Sequence, residues 1–359
     1  MAAMDADSLR RWLAERAASH EFSGVALVWR DGAPVFSYAG GLAHRGHSVP
    51  MTETTRFAVA SVTKMVTATT ARRLVDRGVI RLDQPLVEIL PANHRPAALT
   101  PDHTLHHLLS HTSGLRSYHD DEDQTWDSFT SCWDRIPTYH IRRPADMLPL
   151  FGDLPANGPP GLAYQYADAN FVLASLVIEA ATGKPFTAAA AEEVLTPAGL
   201  RDSAFEALDQ DPPRLATGYL HTSGPYQTWR SNIFSVPANG MPDGGLVTTA
   251  ADLARLLDAL LGGELLSASL LAAMTTPQGP PPAEARPYAW AYGYGMELAV
   301  ENGQVTILGH GGADPGVSTI VAHHRAAATT IVVLCNHDRG SWAVNLQLAA
   351  AFGLTNPRT

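Results

Sequence analysis

The strand-like runs of this chain lie at its two ends, and its helical runs lie mostly between them. Near the N-terminus, Gly24–Trp29 and Pro34–Tyr38 are β-rich and are split by Arg30-Asp31-Gly32-Ala33, an Asp-Gly hairpin signal. Near the C-terminus, Gly293–Val300, Gln304–Leu308, Ser318–His323 and Thr329–Leu334 read as strands, with Asn302-Gly303 turning the first into the second. Helical periodicity occupies Ser61 to about Arg77 (stopped by Gly78), Leu105–Ser110, Asn170–Ala181, Pro185–Leu195 and Ala250–Leu261. Asp5–Ser19 reads as an amphipathic leading helix and Trp342–Phe352 as a closing one. Strands bury their apolar faces most readily in a shared sheet, which brings the two ends of the chain together. The expected fold is α+β, with an antiparallel sheet built from both termini, helices flanking it and a mainly helical domain inserted. The expected boundaries are 1–56 with 285–359 for the sheet domain and 57–284 for the helical domain. Residues 276–287, with five Pro among twelve, read as a linker, and 116–160 as irregular.

Composition narrows the function. The 359 residues carry a net charge of −10, without the electrostatic footprint of a nucleic-acid binder. No segment approaches the roughly 18 uninterrupted apolar residues of a membrane span. Cys132 and Cys335 form no CxxC pair, which argues against a disulfide scaffold and a thiolate zinc site. The first twenty residues carry Asp5, Arg10, Arg11, Glu15 and Arg16 and hold no signal-peptide core, so a cytoplasmic location is expected. A small-molecule substrate is the expected partner, with no nucleic acid, membrane, metal or cofactor.

Of 25 basic residues only two are Lys, Lys64 and Lys184. Arg stays protonated in any protein site, whereas a desolvated Lys can act as a base. Lys64 follows Ser61 by three residues at a helix start, where i and i+3 share a face. A serine hydroxyl needs an adjacent base to become a nucleophile, and a helix N-terminus turns the Ser61 N–H toward a developing oxyanion. With 20 serines and two lysines, an SxxK arises by chance about one time in nine. Lys184, in Thr182-Gly183-Lys184-Pro185, is a turn residue without a chemical case.

Context strengthens the motif. The segment Thr55–Met65 (TRFAVASVTKM) resembles the nucleophile segment of the serine β-lactamase, penicillin-binding protein and family VIII esterase superfamily. Pro160–Phe171 (PGLAYQYADANF) is similar to the superfamily's Pro-Gly…Tyr-x-Asn segment, and Gly309-His310-Gly311-Gly312-Ala313 to its third motif. Leu105–Leu115, Pro197–Phe205 and Gly244–Leu257 agree as lesser landmarks, so the resemblance runs from about residue 20 to 340. It implies a β-lactamase/transpeptidase-like fold, with the active site between the sheet and helical domains, and an acyl-enzyme on Ser61. Small esters or amides are the implied substrates, with weak β-lactamase or DD-peptidase activity allowed. An acyltransferase passing the acyl group to an amine or alcohol is one alternative, and a non-catalytic acyl- or peptidyl-binding scaffold is another.

By the same resemblance, Lys64 and Tyr166 form the proton-shuttling pair. The N–H groups of Ser61 and Ala313 form the oxyanion hole, and Asp168, His310, Gly311 and Gly312 line the substrate. A phenol with an ordinary pKa near 10 serves as a base only if cations favour its phenolate, and Lys64 and His310 are the candidates. Two departures matter. Asp168 stands where the superfamily often has Asn, which disfavours the phenolate and predicts an alkaline optimum. The third motif lacks the Lys and Thr that help to hold a substrate carboxylate, which points to a neutral acyl group.

Other features have blander readings. His103, His106, His107 and His111 cluster, but Leu108 replaces the Glu of HExxH, so satisfied or solvated histidines are expected. His323-His324 reads as a strand-end pair, and Asp120–Asp123 as a solvated loop with a smaller prospect of favouring cationic substrates. Trp126, Trp133, Tyr139 and Trp229 are candidates for an acyl-pocket wall or for ordinary core.

Overall fold

Asp5 caps helix α1 (Ala6–Ala18), its carboxylate accepting from the Ser8 N–H at 2.8 Å, and Leu9 and Leu13 are the buried positions of the helix. The computed structural model describes residues 4–119, 125–222, 228–281 and 289–354. Strands β1 (Gly24–Arg30) and β2 (Ala33–Gly40) follow as the expected hairpin. Five more strands come from the other end: β3 (Ala289–Tyr292), β4 (Glu297–Glu301), β5 (Gln304–Asp314), β6 (Val317–His324) and β7 (Thr329–Cys335). Together they form a seven-stranded antiparallel sheet in the order β3-β4-β5-β6-β7-β1-β2 among the described residues. β1 and β7 join the two ends of the chain, with Gly24 opposite Cys335 and Arg30 opposite Thr329.

The alternation along β1 assigns its residues to two cores. Ala26 and Val28 pack with Leu9, Leu13, Ile331, Val333 and the closing helix, whereas Val25 and Leu27 join the larger core beneath the other face. Coverage on both faces explains why β1 and β7 read as unbroken apolar runs. The closing helix spans Ser341–Ala351.

Three boundaries differ from the sequence reading. The expected strand over 293–300 starts only at Glu297, because Gly293–Met296 turns β3 into β4. Gly295 takes φ +68° there, and a β-carbon would lie 2.7 Å from the Lys64 carbonyl oxygen, so the turn packs directly on the nucleophile helix. β5 continues past Leu308 to Asp314 and carries the whole third motif. The segment 116–160 contains short helical turns, including Trp126–Ser131 and Pro144–Met147.

The inserted segment supplies helices α2 (Thr63–Asp76), α3 (Leu105–Leu109), α4 (Asp168–Thr182) and α5 (Ala250–Leu261). α2 is buried nearly all round, and its Ala and Thr residues let neighbours approach closely. A small sheet of Phe57–Ala58, Leu246–Thr248 and Ala204–Phe205 leads into α2, an element that runs of two or three residues did not announce in the sequence. No single helix among the described residues is long and apolar enough to cross a membrane.

Candidate active site

Ser61 sits in a tight 3-10 turn, Ala60–Val62, that runs directly into α2. Ala60 has φ +47°, a left-handed conformation costly for a residue with a β-carbon. The surroundings hold that turn in place. The Thr319 hydroxyl donates to the Val59 carbonyl at 2.9 Å, and the Val59 N–H donates to the Leu246 carbonyl at 3.1 Å. Gly312 on β5 permits this close approach, since a β-carbon there would lie 2.3 Å from the Val59 carbonyl oxygen and 2.4 Å from the Thr319 hydroxyl. Gly312 of the third motif thus has a steric reason.

Lys64 and Tyr166 converge on the serine hydroxyl. Lys64 Nζ donates to Ser61 Oγ at 2.9 Å, to Asp168 Oδ1 at 2.6 Å and to the Asp243 carbonyl at 2.7 Å. Three acceptors match the three donors of an ammonium group, and the side chain is fully buried. The Tyr166 hydroxyl donates to Ser61 Oγ at 2.8 Å, and Nζ stands 5.0 Å from the Tyr166 ring centre. Burial first, then the Asp168 charge, holds the Tyr166 phenol well above its ordinary pKa; the bond to Ser61 opposes both. Burial pushes the Asp168 carboxyl up, but Lys64 and His119 outweigh it and leave its pKa lowered.

His111 is the main support of Tyr166. Its ring stacks on the phenol with centres 4.2 Å apart, and its Nδ1 accepts from the Ala167 N–H at 3.1 Å. Asn170, 3.2 Å from the same nitrogen, also takes the Ser113 hydroxyl at 2.6 Å. The His111-Thr112-Ser113-Gly114 landmark is therefore the mount for the tyrosine segment. The other clustered imidazoles are occupied locally: His103 with Thr100 and Ser113, His106 with Tyr294, and His107 with Thr104.

The remaining expected residues divide. Ala313 is exposed near the end of β5, and Gly311 precedes the buried Gly312. Asp168, expected to line the substrate, is engaged with Lys64. His310, expected as a second cation, is buried: it donates from Nδ1 to the Gly311 carbonyl at 2.5 Å and accepts from the Tyr292 hydroxyl at 2.9 Å. Burial lowers its pKa, so it presents a neutral ring. Trp133 lines a small cavity of about 70 Å³ beside Asp243, Gly244 and Asp314. Tyr139 lines a larger one of about 510 Å³ that shares Ala58, Leu208 and Val236 with the first. Trp126 instead donates to Asp338 at 3.1 Å, and Trp229 stacks with Arg45. Lys184 pairs with Glu192 on the surface, and Asp120–Asp123 lie outside the described residues.

Sequence reasoning missed Asp243 and Tyr118. The Asp243 backbone carbonyl holds Lys64, and its side chain accepts from the Tyr118 hydroxyl. Neither residue belongs to a motif, and only the fold brings them to Ser61.

This geometry has relatives. A family model described as Beta-lactamase matches residues 9–353. Esterase EstB of Burkholderia gladioli is 33% identical over 299 residues, 75% of this chain and 74% of that protein. A D-aminopeptidase of Cereibacter sphaeroides is 29% identical over 93% of this chain, which spans 61% of that longer protein. Among solved structures, a penicillin binding protein from Bacillus halodurans superposes with a TM-score of 0.85 at 33% identity, covering 94% of this chain and 98% of that one. An SxxK serine within hydrogen-bond reach of a lysine and a tyrosine, beside an antiparallel sheet built from both ends of the chain, and a family match that spans nearly the whole chain place this protein in the Beta-lactamase family of hydrolases.

Proposed function

We propose that this chain is a serine hydrolase that forms an acyl-enzyme on Ser61 and acts on small esters or amides. The observation that carries the reading is the convergence of Lys64 Nζ, at 2.9 Å, and Tyr166 OH, at 2.8 Å, on one serine oxygen. Tyr166 as phenolate takes the Ser61 proton, and the Lys64 ammonium beside the ring stabilises that phenolate. The alkoxide adds to the substrate carbonyl, and the N–H groups of Ser61 and Ala313 hold the oxyanion. Tyr166 then returns its proton to the leaving alcohol or amine. In the second half, the Tyr166 phenolate takes a proton from a water that adds to the acyl carbonyl, and as the ester bond breaks Tyr166 returns that proton to the Ser61 oxygen, releasing the acid.

The substrate class follows from what the third motif lacks. It supplies no Lys or Thr, and the one candidate cation there, His310, is buried in bonds to Tyr292 and Gly311. A substrate carboxylate has no partner in the motif, which favours a neutral carbonyl end. The printed activities of relatives, an esterase and a D-aminopeptidase, span the same ester and amide chemistry.

The test is hydrolysis of p-nitrophenyl acetate and butyrate by the wild type and by Ser61→Ala, with mass spectrometry of the protein quenched during turnover. The expected result is activity and an acyl adduct on the Ser61 peptide of the wild type, with neither in the variant. Equal activity in both proteins overturns the reading.

A further inference from the structure

We propose that Asp243 and Asp314 form a subsite for a cationic amine carried on the α-carbon of the substrate's acyl group. The inference rests on the Ser61 reading above and adds the chemical class of the acyl part.

Both residues flank the nucleophile turn. The Asp243 carbonyl accepts from Lys64, and Asp314 directly follows Ala313 on β5. A β-carbon built on Gly244 would lie 3.5 Å from Asp314 Oδ2 and 3.8 Å from the Ala60 backbone, so one glycine separates the two acids beside Ser61. Both acids border the small cavity, together with Tyr118, Phe129 and Trp133, and among the described residues no Lys or Arg borders it. Its volume, about 70 Å³, is roughly twice one water's share of liquid volume and fits a primary ammonium with a carbon or two.

The Asp243 side chain carries an unanswered acceptor. The residue is 5% exposed; Oδ2 accepts from the Tyr118 hydroxyl, and Oδ1 is buried with no hydrogen-bond partner among the described residues. A buried carboxylate oxygen left without a donor is costly, so the site is incomplete without a ligand or a water. Charge points the same way. Asp168, Asp243 and Asp314 surround Lys64, whose charge Asp168 already engages. Burial first, and then the neighbouring carboxylates, pushes Asp243 up to about 6 and Asp314 well above the usual range. A second cation relieves that repulsion; an anion adds to it, and an alkyl group leaves Oδ1 unsatisfied. Aromatic walls around carboxylates also suit an ammonium.

The experiment compares kcat/KM for D- and L-alanine p-nitroanilide with their N-acetyl counterparts, in the wild type, Asp243→Asn and Asp314→Asn. The expected wild-type preference for the free amine is at least about tenfold for one enantiomer, and each variant should move that ratio toward parity. Asp314→Asn keeps the test available if Asp243→Asn does not fold. Calorimetric binding of alanine amide against N-acetylalanine amide to Ser61→Ala reads the subsite without turnover, so failure of the nucleophile reading stays distinguishable. The proposal is overturned if the N-acetyl compounds are bound or hydrolysed as well as the free amines. A preference that survives in both variants overturns it as well, and a buried water at Oδ1 is then the account.

Discussion

Lys64 Nζ lies 2.6 Å from Asp168 Oδ1 and 2.9 Å from Ser61 Oγ, so one ammonium is shared between a buried carboxylate and the nucleophile. The carboxylate has two opposing effects. It fixes the lysine, and its charge also raises the pKa of the Tyr166 phenol. A resting phenol must lose its proton before it can act as a base, so kcat/KM should climb with pH through the alkaline range. A flat or acidic profile in a stopped-flow esterase assay would remove phenolate catalysis from the scheme.

Asp168→Asn separates those two effects. It removes the charge and keeps an oxygen that can accept from Lys64 Nζ. The Tyr166 pKa should fall, so the ascending limb of the pH–rate profile should move to lower pH. Overlaying profiles of the two proteins checks this; an unmoved limb assigns the ascent to another group.

Gly312→Ala tests the seating of the nucleophile turn on β5. The added methyl would lie 2.4 Å from the Thr319 hydroxyl and 2.3 Å from the Val59 carbonyl oxygen, which is backbone and cannot swing aside. Overpacking of this kind costs about 1–3 kcal/mol, and it displaces Ser61 from Ala313. A lowered urea midpoint together with a larger loss in kcat than in KM is the expected pair of results.

His111→Phe keeps a ring against Tyr166 and removes the acceptor that holds the Ala167 N–H and Asn170. Tyr166 should lose its alignment, lowering kcat about tenfold or more. His111→Gln, which retains an acceptor, should recover part of that loss. Equal effects of both substitutions would mean that the ring stack alone positions the phenol.

Buried imidazoles set the acid limit of stability. Burial lowers His107, His119, His323 and His337 to about 4, so between about 6.5 and 4 the unfolded chain binds the more protons and stability falls as pH falls. Asp243, raised to about 6, works in the opposite direction: between its unfolded value of 3.8 and about 6 the folded state binds the extra proton. Asp314, raised well above the usual range, acts in the same sense as Asp243, and four imidazoles against two carboxyls make net loss toward pH 4 the expected result. Urea midpoints measured from pH 7 down to pH 4 read it, and a constant midpoint would contradict the assignment.

Much of the architecture was legible in local chemistry. Asp31-Gly32 and Asn302-Gly303 marked the hairpins, Gly78 and Gly183 closed helices, and strand-like runs at both ends announced one sheet shared by the two termini. These signals depend on residues a few positions apart, which is why a sequence carries them. The ordered motifs also named Ser61, Lys64 and Tyr166. Tertiary structure alone decided the rest. Tyr166 meets Ser61 across 105 positions, and the Asp243 carbonyl meets Lys64 across 179. Such contacts leave no periodicity, because they arise where α2, β5 and the 242–246 segment are packed against one another. The same packing turned His310 from an expected cation into a buried neutral ring, and it brought Asp243 and Asp314 to one cavity. Local pattern determines which element each residue joins, whereas the charge and hydrogen-bonding state of a side chain depends on what the folded chain places around it.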